Sequence, residues 1–262
     1  MKFVQLNGTT LRYRLAGDPK GRAIFFANSL GTDLTVWDEV VERLPTSYRM
    51  IGFDKRGHGL SAMPDGPVRI EDYASDLVSL ADHLGIEDFV VCGVSVGGLI
   101  AQATATLAPG RVKGIVLSNT GAKIGTEAIW NDRIAIAETQ GMEAMADAVM
   151  ERWFPAKFRE ANPALITGCR AMLTRTPAMG YASTSRAIRD ADFRRSTAQL
   201  KVPTLCIAGE LDAATPAELV RTLAELIEGA SYHEIEGCGH LPSIQTPDEC
   251  AKVITAFLKA LD

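Results

Sequence analysis

The stretch Val90-Val91-Cys92-Gly93-Val94-Ser95-Val96-Gly97-Gly98-Leu99-Ile100 sets one serine among three glycines in an otherwise apolar run. A glycine inside a regular element costs roughly 0.5–1 kcal/mol relative to alanine, so packing alone does not account for the cluster. Phe89 to Val94 is free of charge and rich in β-branched residues, which predicts a buried strand, and the residues after Ser95 open a helix. A serine in a Gly-x-Ser-x-Gly frame at such a strand-to-helix bend sits on a sharp, strained turn that lifts its hydroxyl above the sheet, the nucleophile elbow. Gly93 and Gly97 are expected to let the chain turn tightly, and Gly98 to ease close helix packing. The uncharged run extends from Phe89 to Pro109, long enough to nearly span a bilayer. Its β-branched opening and central glycines favour a strand, a turn and a buried helix over a membrane helix.

Working outward, the pattern is that of a mostly parallel sheet. The N-terminal residues Phe3 to Gly17 alternate apolar and polar around Asn7-Gly8, predicting two strands of a β-meander joined by a hairpin turn. Short apolar runs follow at Ala23 to Asn28, Arg49 to Asp54, Phe89 to Val94, Gly114 to Asn119, Thr204 to Gly209 and Ser231 to Gly237, separated by segments of helical periodicity. Such alternation puts helices on both faces of a twisted sheet and gathers functional groups at the carboxyl ends of the strands. The alternation breaks once. Between the fourth and fifth of these runs lie helix-like pieces at Ile129 to Gln140, Met142 to Phe154 and Asn162 to Leu173. A parallel crossover needs only a dozen or more residues, so the excess predicts a helical cap, residues 121–190, inserted in a core of residues 1–120 and 191–262.

Bulk properties narrow the function. A chain of 262 residues, 47% hydrophobic and 23% charged, can bury a large core. A net charge of −5 and a pI near 5.5 argue against nucleic acid and anionic membranes as partners, since either needs a basic face. The N-terminus lacks the features of a signal peptide, so a cytoplasmic location is expected, as a monomer or a homo-oligomer. Cys92, Cys169, Cys206, Cys238 and Cys250 show neither CxxC nor Cys/His ligand spacing. They read as small core residues of a reducing compartment, and no metal or organic cofactor is expected.

A serine hydroxyl needs a base in hydrogen-bonding reach and a carboxylate to orient that base. His240 follows the last predicted strand in Gly237-Cys238-Gly239-His240-Leu241-Pro242, and Asp212 lies just beyond the preceding one in Gly209-Glu210-Leu211-Asp212. The order Ser95, Asp212, His240 is that of serine hydrolases built on an α/β sheet. His58 reads as loop support, His83 sits near a helix end and His233 lies within a strand. Glu210 competes with Asp212 but stands too close to the strand end and is expected to face elsewhere. Two backbone amides are needed for the developing oxyanion. In this architecture they belong to the residue after the nucleophile, Val96, and to an early strand-helix loop, here Leu30 in Asn28-Ser29-Leu30-Gly31.

The segments DKRGHGLS (54–61), GVSVGG (93–98), GELDAATP (209–216) and GCGHLP (237–242), in this order, resemble the α/β-hydrolase superfamily across essentially the whole chain. More narrowly, ANSLGTDLTVWDEV (27–40) together with DKRGHGLS and VCGVSVGGLIAQ (91–102) resembles the 3-oxoadipate enol-lactonases of the β-ketoadipate pathway. Asn28-Ser29 stands where many members of the superfamily carry His-Gly, a departure the lactonases share, and it leaves a backbone donor at Leu30 intact. The resemblance implies a small anionic lactone as substrate, bound in part near Ser29. Its carboxylate calls for an arginine fork from the cap. Arg133, three residues after Trp130 and so on one helix face with it, is the first choice, and Trp153 offers a second apolar wall. A small-molecule carboxylesterase or perhydrolase-like enzyme is the alternative, and a non-catalytic ligand receptor on the same scaffold a third. A dehalogenase would need a carboxylate where Ser95 stands.

Overall fold

The computed structural model describes residues 1–63 and 65–261. Eight strands form one sheet: β1 Lys2–Leu6, β2 Thr9–Gly17, β3 Ala23–Ala27, β4 Arg49–Phe53, β5 Phe89–Val94, β6 Val112–Ser118, β7 Thr204–Gly209 and β8 Ser231–Ile235. Their spatial order is β1-β2-β4-β3-β5-β6-β7-β8. β1 and β2 form the expected hairpin, with Asn7 and Gly8 both at positive φ (48° and 73°), as a two-residue hairpin turn demands. The hairpin does not continue as a simple meander. β2 pairs antiparallel with β4 rather than with β3, which slots between β4 and β5 in the parallel part of the sheet.

β3, β5 and β7 are buried along their whole lengths, the pattern of parallel strands covered on both faces, whereas edge strand β1 is largely exposed. Helices α1 (Asp38–Arg43), α2 (Ile70–His83) and α3 (Val96–Leu107) belong to the first half of the chain. Five more, α4 (Glu127–Gln140), α5 (Ala146–Trp153), α6 (Ala156–Ala161), α7 (Pro163–Thr174) and α8 (Ala178–Asp190), occupy the long interval between β6 and β7. Then come α9 (Arg194–Thr197), α10 (Ala217–Leu226), α11 (Pro242–Gln245) and α12 (Pro247–Lys259). α2 packs with α3 and α1 with α12, while α4 and α8 pair within the cap.

Close approaches seat the cap on the sheet end. A Cβ on Gly180 of α8 would lie 2.1 Å from the backbone oxygen of Gly57 in the loop after β4, so only glycine lets the helix settle there. The five cysteines are free and buried. Among the described residues, no helix is long and apolar enough to cross a membrane.

Candidate active site

Ser95, at φ 58° and ψ −119°, joins β5 to α3 in a conformation that a non-glycine residue occupies at a cost of order 1–3 kcal/mol. The surroundings hold it there. Its N–H donates to the Ser118 carbonyl (2.9 Å), and its own carbonyl accepts from Gly98 N–H (2.9 Å) and Thr120 Oγ1 (2.7 Å). The glycines serve close approach rather than positive φ. A Cβ on Gly93 would meet the Gly97 oxygen at 2.0 Å, and one on Gly97 the Ala27 oxygen at 2.1 Å. Gly98 does ease close packing of α3: a Cβ there would lie 2.4 Å from Thr120 Cγ2 in the loop after β6.

His240, in the loop between β8 and α11, is 2% exposed, and its Nδ1 stands 2.8 Å from Asp212 Oδ2. Donation from Nδ1–H to that carboxylate leaves Nε2 as the free acceptor. The His240 backbone is fixed separately, its N–H donating to the Trp153 carbonyl (2.8 Å). Asp212 Oδ2 also accepts from Asn119 Nδ2 (2.9 Å) and Thr215 Oγ1 (2.7 Å), and Oδ1 from the amides of Ala214 (2.7 Å) and Thr215 (3.0 Å). Burial alone would raise the Asp212 pKa; the His240 ring, Thr215 and Asn119 more than offset it, and the carboxyl is held below its usual range. Glu210 does face elsewhere, its Oε2 accepting from Gly237 N–H (2.8 Å). His58 is buried beneath the loop after β3, His83 ends α2 and His233 lies in β8 beside Glu249.

A cavity of about 200 Å³ lies between the sheet end and the cap. Ser29, Leu30, Ser95, Trp130, Arg133, Trp153 and His240 all line it, while Asp212 stands behind His240 and Val96 opens α3. The volume falls below the roughly 300–1,000 Å³ of sites for drug-sized ligands, so the cavity suits a small molecule. A larger surface groove of about 990 Å³, near Arg69 and Phe193, contains none of these residues.

The roof of the cavity carries positive charge. The Arg133 guanidinium carbon lies 4.9 Å from the Trp130 ring centroid, as expected for two residues on one face of α4. Its Nε is shut off from water without a hydrogen-bond partner, and burial pushes its pKa down. Arg152, from α5, lines the same cavity and lowers it further. Among the described residues no carboxylate forms an ion pair with either.

Sequence reasoning missed Asn119, Thr215, Arg152 and Tyr181, the last a buried residue of α8 that lines the cavity and hydrogen-bonds Arg133. Asn119 had one visible signal, a polar residue directly after a buried strand, at the same end of the sheet as Ser95. Among the described residues, no group of three His, Cys, Asp or Glu side chains could hold a metal ion.

A strained serine after the central strand, a buried histidine-carboxylate pair after the last two strands and a capped cavity above them define a hydrolase of the α/β class. Residues 22–247 match the family model described as the alpha/beta hydrolase fold, and the chain belongs to that family. It is 33% identical over 249 residues, 95% of its length, to 3-oxoadipate enol-lactonase 2 of Acinetobacter baylyi, covering 93% of that protein. Identity to 3-oxoadipate enol-lactonase 1 of the same organism is 34%, over 97% of this chain and 95% of the relative. The crystal structure of the enol-lactonase from Burkholderia xenovorans LB400 superposes with a TM-score of 0.96 at 38% identity, covering 98% of this chain and all of that one.

Proposed function

We propose that this hydrolase opens the ring of 3-oxoadipate enol-lactone, giving 3-oxoadipate through an acyl-enzyme on Ser95. Ser95 Oγ attacks the lactone carbonyl as His240 Nε2 takes its proton, and the Leu30 and Val96 amides receive the oxyanion. The ring C–O bond then breaks. The departing oxygen leaves as an enolate, which takes the proton from His240 and tautomerises to the ketone. Such a leaving group needs less help than an alkoxide, so the demanding steps are positioning and deacylation. Deacylation runs the same groups in reverse: His240 deprotonates a water, hydroxide adds to the acyl carbon, and Ser95 departs with the proton.

The observation that carries the reading is Arg133, a partly buried guanidinium without a carboxylate, aimed with Arg152 into a small cavity above Ser95 and His240. Tyr181 hydrogen-bonds the Arg133 guanidinium, and a carboxylate-bearing substrate in the cavity would supply the ion pair that the protein does not. The similarity to enol-lactonases over nearly the full chain supports the same choice.

The test is hydrolysis of enzymatically generated 3-oxoadipate enol-lactone, followed as loss of its ultraviolet absorbance. Turnover by the wild-type chain is expected. Hydrolysis of simple esters with indifference to the lactone would replace this reading with that of a small-molecule carboxylesterase. A protein that neither turns over an ester nor reacts with a fluorophosphonate would overturn the serine mechanism itself.

A further inference from the structure

The loop that carries Leu30 rests on a buried basic pair that no reaction step above uses. Lys55 and His58 follow β4, and both are sealed from solvent, at 1% and 0% exposure. Lys55 Nζ donates to the Ser29 carbonyl at 2.6 Å. Thr32 adds two further donors to the same oxygen, its N–H at 3.3 Å and Oγ1 at 3.1 Å. His58 Nε2 accepts from Gly31 N–H at 3.1 Å, which places the ring proton on Nδ1. The groups immediately before and after Leu30 are therefore both held from the side of the β4 loop.

Peptide geometry turns this anchoring into an orientation. The chain has no cis peptide bond among the described residues, so the Ser29–Leu30 unit is planar and trans, and its N–H points away from its C=O. With the carbonyl turned towards Lys55 and Thr32, the Leu30 N–H faces the opposite side. The cavity shared by Ser29, Leu30, Ser95 and His240 adjoins that peptide. We propose that Lys55 is a positioning residue of the oxyanion hole: its hydrogen bond to the Ser29 carbonyl fixes the plane of the Ser29–Leu30 peptide and aims the Leu30 amide at the developing oxyanion.

Packing gives no reason for an amine here. A methionine has a comparable stem and avoids the desolvation of a buried amine, which pushes the Lys55 pKa well down despite the opposing fields of Asp54 and Asp33. The amine donates whether or not it is protonated, so the positioning role does not depend on its charge. Asp54 secures the same platform from below, Oδ1 accepting from Leu34 N–H (2.7 Å) and Oδ2 from Leu60 N–H (2.9 Å).

The inference rests on acyl transfer at Ser95 but not on the identity of the lactone, so it is tested on a neutral ester. In the full chain, Lys55→Met is expected to lower kcat for p-nitrophenyl acetate about 10–10²-fold, with KM within about twofold of wild type, since loss of a whole oxyanion donor costs on the order of 10²–10³. A boronic acid, whose serine adduct puts an oxygen in the oxyanion position, should lose affinity by a similar factor. A merely structural role would not produce that paired loss. If Lys55→Met does not fold, Thr32→Val should give the same pattern, with kcat lowered about 3–10-fold and boronate affinity falling alongside. Unchanged boronate affinity, or a rise in KM at constant kcat, would overturn the proposal. A wild-type enzyme that hydrolyses the ester but ignores the enol-lactone would overturn only the substrate assignment above.

Discussion

Asp212, behind His240 at the floor of the cavity, accepts hydrogen bonds from His240, Asn119, the Thr215 hydroxyl and the amides of Ala214 and Thr215. Arg133, in the roof, stacks on Trp130 yet keeps an Nε hidden from water without a partner. Both are buried ionisable groups beside one small cavity, but Asp212 has its counter-charge within the protein, whereas Arg133 has the Tyr181 hydroxyl and no carboxylate among the described residues. A saturated group is held in one place, as general base catalysis requires. A guanidinium with no carboxylate partner is free to pair with a ligand of opposite charge. On the proposed function, the floor carries the chemistry and the roof the selection.

The most severe way to break the floor is Ser95→Ala. Turnover of any ester or lactone should fall by about 10⁴–10⁶-fold with the fold intact, measured as kcat with circular dichroism as a control. Full retention of kcat would remove Ser95 from the chemistry. Arg133→Met attacks the roof instead. For the anionic lactone kcat/KM should drop about 10–10²-fold, mainly through KM, as expected for a charge-assisted hydrogen bond of about 1.5–3 kcal/mol. For p-nitrophenyl acetate the change should stay within about twofold, and an equal loss on both substrates would show that Arg133 serves the fold rather than the ligand.

Asn119→Ala probes the support beneath the floor. Its amide donates to Asp212 (2.9 Å) and to the Gly239 carbonyl (3.1 Å), and its φ of 49° is strained for alanine. A loss of about 1–3 kcal/mol in stability and about tenfold in kcat is expected, read by denaturant unfolding and by ester hydrolysis. Gly180→Ala sharpens the seam between the two regions. Its new Cβ would collide with the Gly57 oxygen at 2.1 Å, and relief costs about 1–3 kcal/mol, partly offset by better helix propensity. The expected drop in Tm is about 2–6 °C, with activity altered less than in the other variants.

The same division explains what the amino-acid order revealed. Ser95 and Asp212 each follow a buried strand and His240 follows the last, edge strand, so short-range patterns placed all three at one end of the sheet. The Arg133–Trp130 stack was legible because helical spacing of three residues puts both side chains on one face. Lys55 and Arg152 gain their roles from contacts between elements distant in sequence, for which no local spacing exists, whereas Thr215 sits only three residues after the Asp212 it bonds. α8 was harder still. Its segment AMGYASTSRAIRD mixes alanine and arginine with Gly180, Tyr181 and the polar run Ser183-Thr184-Ser185, which weaken the local signal, and packing against α4 and the Gly57 loop adds support for the helix. Strand order was equally hidden, since nothing in the periodicity of β3 and β4 says which of them lies beside the N-terminal hairpin.

The division of labour is tested most directly by the specificity ratio of the wild-type protein, kcat/KM for 3-oxoadipate enol-lactone over kcat/KM for p-nitrophenyl acetate. A roof that recognises a carboxylate predicts a ratio above about 10², since a single charge-assisted contact is worth about 1.5–3 kcal/mol and two arginines face the cavity. A ratio near one, or an ester turned over while the lactone is left untouched, would contradict the account.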